Sequence, residues 1–225
     1  MGVAQQGVYG NWYQKTGNVV ARQVKGRTIY SIYQPKVHNP KTDAQETVRM
    51  KFRLLSLIGA RLRTALVELF ANLDGYEHGT WLSSFVGFNF KYDDSAASAQ
   101  KLFTGAYPNI SLNMQYLQVS PATGELPILM NASADPEGTN INVTWTNDSS
   151  AGTGSANTDK VSFVLVNSSM RAQLAFIDDA TRQAQTTVLR CPNAWSGQSC
   201  HTYAVVRSAD NQYYSHTQYL GEITF

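Results

Sequence analysis

The sequence lacks the features that mark several common protein classes. No run approaches the roughly 20 apolar residues that a membrane-spanning helix needs, so we expect no membrane protein. The first residues have no basic flank and no apolar segment, so we expect no secretory signal peptide. Two cysteines and four histidines, without Cys-x-x-Cys or His-Glu-x-x-His spacing, predict no metal site and no cofactor.

Recognisable reaction centres are equally scarce. There is no Gly-x-Ser-x-Gly motif, and the acidic pairs at 93–94 and 178–179 are typical of solvated turns. A hydrolase or carbohydrate-active domain would need an acid pair or a metal cluster in a cleft. We therefore predict that the protein is not an enzyme, and we assign no catalytic residue.

The cysteines, Cys191 and Cys200, lie at the end of one predicted strand and the start of the next. A disulfide here would close a short loop and stabilise the fold by about 2–3 kcal/mol. The alternative is a pair of free thiols in a reducing compartment. The spacing favours a possible disulfide slightly.

Charge is unevenly distributed. The chain has 225 residues, 43% of them hydrophobic, which suffices for a core, and a formal charge of +2. Residues 1–63 carry +9 and residues 64–225 carry −7. This asymmetry predicts an anionic partner, either another molecule or the acidic half of a second copy. The predicted contacts are Lys15, Arg22, Lys25, Arg27, Lys36, Lys41, Arg49, Lys51, Arg53, Arg61 and Arg63.

Residues 1–38 predict a basic extended arm, because glycines interrupt them and they are too few to bury a core. Two β-branched, aromatic stretches at 18–24 and 27–33 flank Lys25-Gly26 and predict a hairpin. Aromatic residues interleave with the basic ones, a pattern that also favours contact with single-stranded nucleic acid. They are Tyr9, Trp12, Tyr13, Tyr30 and Tyr33.

Residues 39–104 predict a helical anchor segment, with one long helix over 43–73. Its start has two readings, Asn39 as N-cap before Pro40, or Thr42 with Gln45 in a capping box. Gly59 is the expected kink, and Asp74-Gly75 the expected end. One apolar stripe follows the helical period through Val48, Phe52, Leu55, Ile58, Leu62, Leu66 and Leu69. A second apolar face at Met50, Leu54 and Leu57 predicts partial burial by partner subunits.

Residues 105–225 predict an immunoglobulin- or fibronectin-like β-sandwich, which makes the chain mainly β with an N-terminal helical segment. Short alternating strands recur every 8–12 residues. They are expected at 110–116, 126–132, 141–145, 161–166, 172–177, 186–191, 201–207 and 219–225. We expect a chain that begins near Tyr107 to fold alone.

Three groups of residues carry a resemblance to a known family. They are 17–26 with 35–45 (including Asn-Pro-Lys-Thr-Asp-Ala-Gln), Trp145 with 149–160, and 195–197 with 201–203 and 219–221. Together they resemble an uncharacterised domain-of-unknown-function family of bacterial and phage proteins, over nearly the whole chain. The family has a Gly-rich basic start and an immunoglobulin-like end. The resemblance implies no catalytic residues, and the chain departs from the family pattern at Cys191 and Cys200.

These observations predict a non-enzymatic structural protein, most concretely a phage virion component made in the host cytoplasm. Its arm and helix would anchor it to neighbouring subunits, including copies of itself, and its sandwich would be a contact module. The alternative is a cytoplasmic nucleic-acid-binding protein that uses residues 9–63.

Overall fold

The chain divides into two units of residue contacts, Met1–Thr42 and Asp43–Phe225. The computed structural model describes residues 2–4, 14–16, 18–24, 27–33, 40–70, 81–96, 100–123, 126–147, 156–169 and 172–225. The division falls close to the predicted end of the arm. The predicted boundary between residues 104 and 105, in contrast, lies inside the second unit.

The first unit contains an antiparallel sheet with strand order β1-β4-β3-β2. The strands are β1 (Gly2–Ala4), β2 (Gln14–Thr16), β3 (Val19–Val24) and β4 (Arg27–Ile32). Val24 pairs with Arg27, so two residues connect β3 to β4 and the predicted hairpin is confirmed. The flanking strands β1 and β2 were not predicted, and they supply the pairing that an isolated hairpin lacks.

The second unit begins with two consecutive helices, α1 (Asp43–Arg61) and α2 (Arg63–Phe70). Because α1 begins at Asp43, Thr42 occupies the N-cap position, as in the second of the two readings. The interruption is at Leu62 rather than Gly59. The Leu62 N–H still donates to Ile58 O at 2.9 Å, and the Leu66 N–H donates to Leu62 O at 2.9 Å, so the break is local. The predicted end at Asp74-Gly75 lies outside the described residues.

Gly59 allows two helices to approach closely. A Cβ atom at this position would lie 2.6 Å from Leu82 Cδ1 and 3.1 Å from Phe85 Cδ1, both on α3 (Trp81–Ser95). Glycine is therefore needed for packing, and the prediction of a kink there was wrong. The α3 helix is continuous over its 15 residues.

Two sheets form a sandwich in the second unit, one ordered β10-β9-β12-β13 and the other β11-β8-β7. A short pair, β5-β6, precedes them. The strands are β5 (Phe103–Thr104), β6 (Ser111–Leu112), β7 (Met130–Glu137), β8 (Asn140–Thr146), β9 (Lys160–Asn167), β10 (Gln173–Thr181), β11 (Thr186–Arg190), β12 (Ser199–Arg207) and β13 (Gln218–Thr224). The predicted mainly-β architecture with a sandwich is confirmed.

Two strand predictions require correction. The alternation over 110–116 marks buried Ile110 and Met114, but only Ser111–Leu112 form a strand, because Asn113 caps a 3-10 turn at Met114–Tyr116. The strand expected over 126–132 begins at Met130 and continues to Glu137. Gly138, with φ +63°, then begins the two-residue turn that leads to Asn140.

The four-stranded sheet is the middle layer of the unit, since both of its faces are buried. Val161, Phe163 and Leu165 share one core with the three-stranded sheet. Val164 and Val166 share the other core with the helices. This arrangement explains why seven of the eight residues of β9 are buried, unlike a half-exposed strand in which burial alternates.

This middle layer changes two predictions. The main stripe of α1 and α2 is buried within its own chain from Leu55 to Leu69, so partner subunits are not needed to cover that part. A chain beginning near Tyr107 would lose the helices and expose Val164, Val166 and Tyr203. The helices and the sandwich therefore belong to one folding unit.

Candidate assembly surface

The amino-terminal half of α1 carries an apolar stripe that its own unit leaves exposed. Val48 and Phe52 are 57% and 56% exposed, whereas Leu55 and Ile58 on the same stripe are 0% and 3% exposed. The buried residues of α1 begin only at Leu55. The second half of the stripe is therefore covered within its own unit, where α1 packs against α3 and α2, and the first half is not covered.

A groove of about 300 Å³ lies beside this stripe, between α1 and the connection from β5 to β6. Its lining residues are Glu46, Arg49, Met50, Arg53, Tyr107 and Pro108. We call it the Arg49–Arg53 groove. Arg49 and Arg53 are one helical turn apart, which brings both guanidinium groups to the same side of α1.

The opposite wall of the groove depends on a tight turn. Gly105 has φ +82°, and a Cβ there would lie 2.3 Å from Asn109 O, so only glycine fits. The Asn109 N–H closes the turn by donating to Ala106 O at 2.7 Å. This turn presents Tyr107, which is 42% exposed, and Pro108 to the groove.

The basic residues of α1 have different electrostatic surroundings. Arg49 Nη1 lies 2.6 Å from Glu46 Oε1 in an exposed pair. Lys51 Nζ lies 3.1 Å from the buried Asp93 carboxylate and 4.7 Å from the centre of the Phe103 ring. Within the described part of the chain, Arg53 is exposed and has no hydrogen bond or ion pair. Arg53 is thus the cation in this groove that is most available to an external carboxylate or phosphate.

The structure places the predicted anion-contact residues on both units. Exposed side chains are found at Arg22, Lys41, Arg49, Arg53, Arg61 and Arg63. Lys15 and Arg27 lie on β2 and β4. Of the aromatic residues, Tyr30 is half-buried and Tyr33 is 38% exposed. Lys25, Lys36, Tyr9, Trp12 and Tyr13 lie outside the described residues.

The groove includes residues that sequence reasoning missed. Tyr107 and Pro108 gave no sign of proximity to α1, since they are more than fifty positions away and lie in a loop. Met50 was assigned to the second apolar face, and it packs against the helical core together with Leu54. Leu57, from the same predicted face, remains 48% exposed.

The two cysteines are buried free thiols, so the predicted disulfide is absent from this structure. Both belong to the core between the two sheets. Burial raises the pKa of Cys191 to about 12 and that of Cys200 to about 11. At neutral pH both are therefore protonated, and a protonated thiol is a poor nucleophile.

The remaining candidate groups have packing roles. His201 Nδ1 lies 3.0 Å from the Tyr219 hydroxyl oxygen, and burial lowers the pKa of His201. Among the residues that the structure describes, no group of three or more His, Cys, Asp or Glu side chains could hold a metal ion. In the same described ranges, no helix is both long enough and apolar enough to cross a bilayer.

The family of the chain follows from a match over residues 10–221 to the model of a family of unknown function, DUF6266. The chain belongs to this family. The match confirms the coarse part of the resemblance, namely an uncharacterised domain family that spans nearly the whole chain.

Comparison with other proteins adds little. No curated protein matches the chain. One solved structure with similarity is the crystal structure of a DUF3823 family protein from Bacteroides ovatus, with 17% identity and a TM-score of 0.30. The match covers 43% of this chain and 53% of that one, so the chain spans about half the length of that structure.

Proposed function

We propose that the protein is a non-enzymatic structural component of a larger assembly, and specifically of a phage virion. Residues 1–42 and the exposed half of α1 contact neighbouring subunits, including copies of the same chain. The sandwich is a contact module. The observation that carries this proposal is the stripe that is buried at Leu55 and exposed at Val48 and Phe52.

The size of this exposed area suits a subunit contact. Full burial of a Val or Phe side chain contributes about 1.5–3 kcal/mol, and these two are already partly covered. Covering the rest contributes about 2–3 kcal/mol, or on the order of 100-fold in Kd. The first unit has a similar feature, because Val19 and Ile32 pair across β3 and β4 and are 42% and 79% exposed.

The chemistry of the buried groups supports the non-enzymatic part of the proposal. The raised pKa values of Cys191 and Cys200 keep both thiols protonated, and His201 is held against Tyr219. Each of these groups stabilises a core or a sheet face.

The direct test compares full-length wild type with Val48→Ser/Phe52→Ser by sedimentation velocity over a range of concentrations. We expect wild type to self-associate, and we expect the variant to need a protein concentration on the order of 100-fold higher for the same degree of association. The matched control is Ile128→Ser/Tyr213→Ser, which removes side chains that are 44% and 51% exposed elsewhere. Equal association of all three proteins would contradict the role of the α1 stripe.

A second test addresses the arm and the virion. A chain that begins at Asp43 keeps the whole second unit, including both cores. We expect it to fold but not to enter purified particles, whereas the full chain is detected in them by mass spectrometry. Incorporation of the truncated chain would show that residues 1–42 are not the anchor, and absence of the full chain from particles would contradict the virion proposal.

The alternative function, binding of nucleic acid, is favoured by the Arg49–Arg53 groove with its exposed Tyr107 ring. Guanidinium groups bind phosphates and an aromatic ring stacks on bases. Binding of a fluorescent oligothymidylate would then weaken steeply with added salt. If that binding is absent at low salt, this alternative is wrong.

A further inference from the structure

An acidic surface on β7 has the complementary charge to the Arg49–Arg53 groove. Ala132 and Ala134 pack toward the core between the sheets, so Ser133, Asp135 and Glu137 alternate onto the outer face. Asp135 and Glu137 are both exposed.

The cation in register with the two carboxylates on this sheet is Arg190, which pairs with Asn140 on β8 and is therefore one strand removed from Glu137. Asp135 pairs in register with Asn142, and Glu137 pairs with Asn140. The Ser133 hydroxyl donates to Asp135 Oδ2 at 3.4 Å, and in the described residues neither carboxylate forms an ion pair. Because both side chains are exposed, this face of β7 is accessible to a partner.

The two surfaces also match in spacing. Residues four apart on a helix are separated by about 6 Å along its axis. Residues two apart on a strand are separated by about 6.6 Å. The backbone spacing of Arg49 and Arg53 is therefore close to that of Asp135 and Glu137.

We propose that the Arg49–Arg53 groove of one copy binds the Asp135–Glu137 face of β7 from a second copy. This inference rests on the proposed assembly function and names the partner at that surface. Guanidinium and carboxylate groups form paired, charge-assisted hydrogen bonds, which fix orientation as well as strength. Met50, Tyr107 and Pro108 provide a partly apolar wall that reduces the access of water to these pairs.

Glu46 sets the charge balance of the groove. It pairs with Arg49 at 2.6 Å, so the groove has a net charge of +1 and Arg53 is its unpaired cation. Replacement of Glu46 by glutamine would raise the net charge to +2 with little change in shape. We expect Glu46→Gln to strengthen self-association by several-fold, which a merely structural Glu46–Arg49 pair would not predict.

The interface can repeat, because every copy carries one groove and one acidic face. Such a contact between two different patches can extend from subunit to subunit. The charge difference between residues 1–63 and 64–225 has the sign that this head-to-tail contact requires.

The test is a reciprocal charge reversal in the full-length protein. Variant A is Arg49→Glu/Arg53→Glu, and variant B is Asp135→Lys/Glu137→Lys. Like charges face each other in A alone and in B alone, so each should self-associate at least about tenfold more weakly than wild type. In an equimolar mixture, opposite charges face each other again at both kinds of contact, and we expect association to return.

Controls separate this effect from misfolding and from net charge. All changed residues are exposed, and circular dichroism checks that each variant is folded. Lys91→Glu/Gln183→Glu/Gln212→Glu changes the net charge as much as variant A, at exposed positions outside the predicted contacts, and should associate like wild type. Association of wild type should weaken at about 1 M salt, where the Debye length is about 3 Å.

The outcomes distinguish the possible failures. If wild type associates and both A and B do so equally well, the charged contact is wrong, while assembly through Val48 and Phe52 stands. A monomeric wild type at every concentration would contradict both proposals. If A loses binding to an oligothymidylate, B keeps it and the mixture shows no recovery, the groove binds nucleic acid and the self-contact is refuted.

Discussion

The ion pair between Arg182 and Asp159 gives a sharp test of the fold. Their side chains are 0% and 2% exposed, and Arg182 Nε lies 3.4 Å from Asp159 Oδ2. The guanidinium group also donates to Pro127 O at 2.7 Å and to Ile128 O at 3.3 Å. The Trp145 indole N–H donates to Arg182 O at 2.8 Å. The pair therefore connects segments that are distant along the chain.

Replacing Asp159 by alanine removes the carboxylate that pairs with a guanidinium group whose side chain is 0% exposed. We expect Asp159→Ala to lower the free energy of unfolding by about 3–5 kcal/mol, the usual cost of breaking a buried ion pair. The carboxylate also accepts the Ala156 N–H at 2.8 Å, so this loss adds to the cost. For a unit of this size, the change corresponds to a fall in Tm of roughly 10 °C.

The assay is urea unfolding monitored by tryptophan fluorescence, because Trp145 belongs to the same core. The midpoint should fall without a change in slope. Asp94→Ala is the control, since Asp94 is exposed on α3, and its effect should stay within about 0.5 kcal/mol. A loss below 1 kcal/mol for Asp159→Ala would refute the reasoning, as it would mean that water or another group neutralises Arg182.

Further predictions concern the helical core and the cysteines. Gly59→Ala should lower the free energy of unfolding by about 1 kcal/mol, because crowding against α3 outweighs the gain in helix propensity. A Cβ at Gly87 would have nothing within 4 Å, so Gly87→Ala should raise the free energy of unfolding by about 0.5–1 kcal/mol in the same urea assay. Tyr203→Phe should cost about 1–3 kcal/mol in thermal unfolding, because its hydroxyl donates to a main-chain carbonyl at 2.6 Å in the core. Folding raises the pKa of Cys191 and Cys200 above 9.0, so stability is full below pH 9 and falls above it, by up to about 1.4 kcal/mol per pH unit for each thiol. An unchanged pH slope in the double alanine variant would contradict this assignment.

Local patterns predicted the elements whose signals lie within a few residues. The hairpin at Val24 and Arg27 follows from β-branched strands around a two-residue turn. The helix start at Asp43 follows from capping chemistry at Thr42. Both depend on hydrogen bonds between near neighbours, so one short stretch of sequence contains the information.

Features that depend on contacts between residues distant in the chain could not be predicted from local sequence patterns. Gly59 looks like a helix breaker in isolation, and only the approach of Phe85 from α3 shows why it must be small. The alternation of apolar residues correctly predicts that Ile110 and Met114 are buried. It does not predict that Asn113 turns the backbone between them. The groove required Tyr107 and Arg53 to meet across the fold, and nothing in either segment specified the other.

The stripe of α1 shows where the limit of sequence reasoning lies. The helical period places four apolar residues of α1 on one stripe, so the sequence predicts one role for all of them: Val48, Phe52, Leu55 and Ile58. The structure gives them two roles, because the core of the second unit covers the stripe only from Leu55 onward. If the stripe served only the internal core, polar residues at positions 48 and 52 would not lower the stability of the fold. Apolar residues at these positions are what the proposed contact with a neighbouring subunit requires, and the sedimentation of Val48→Ser/Phe52→Ser tests that contact.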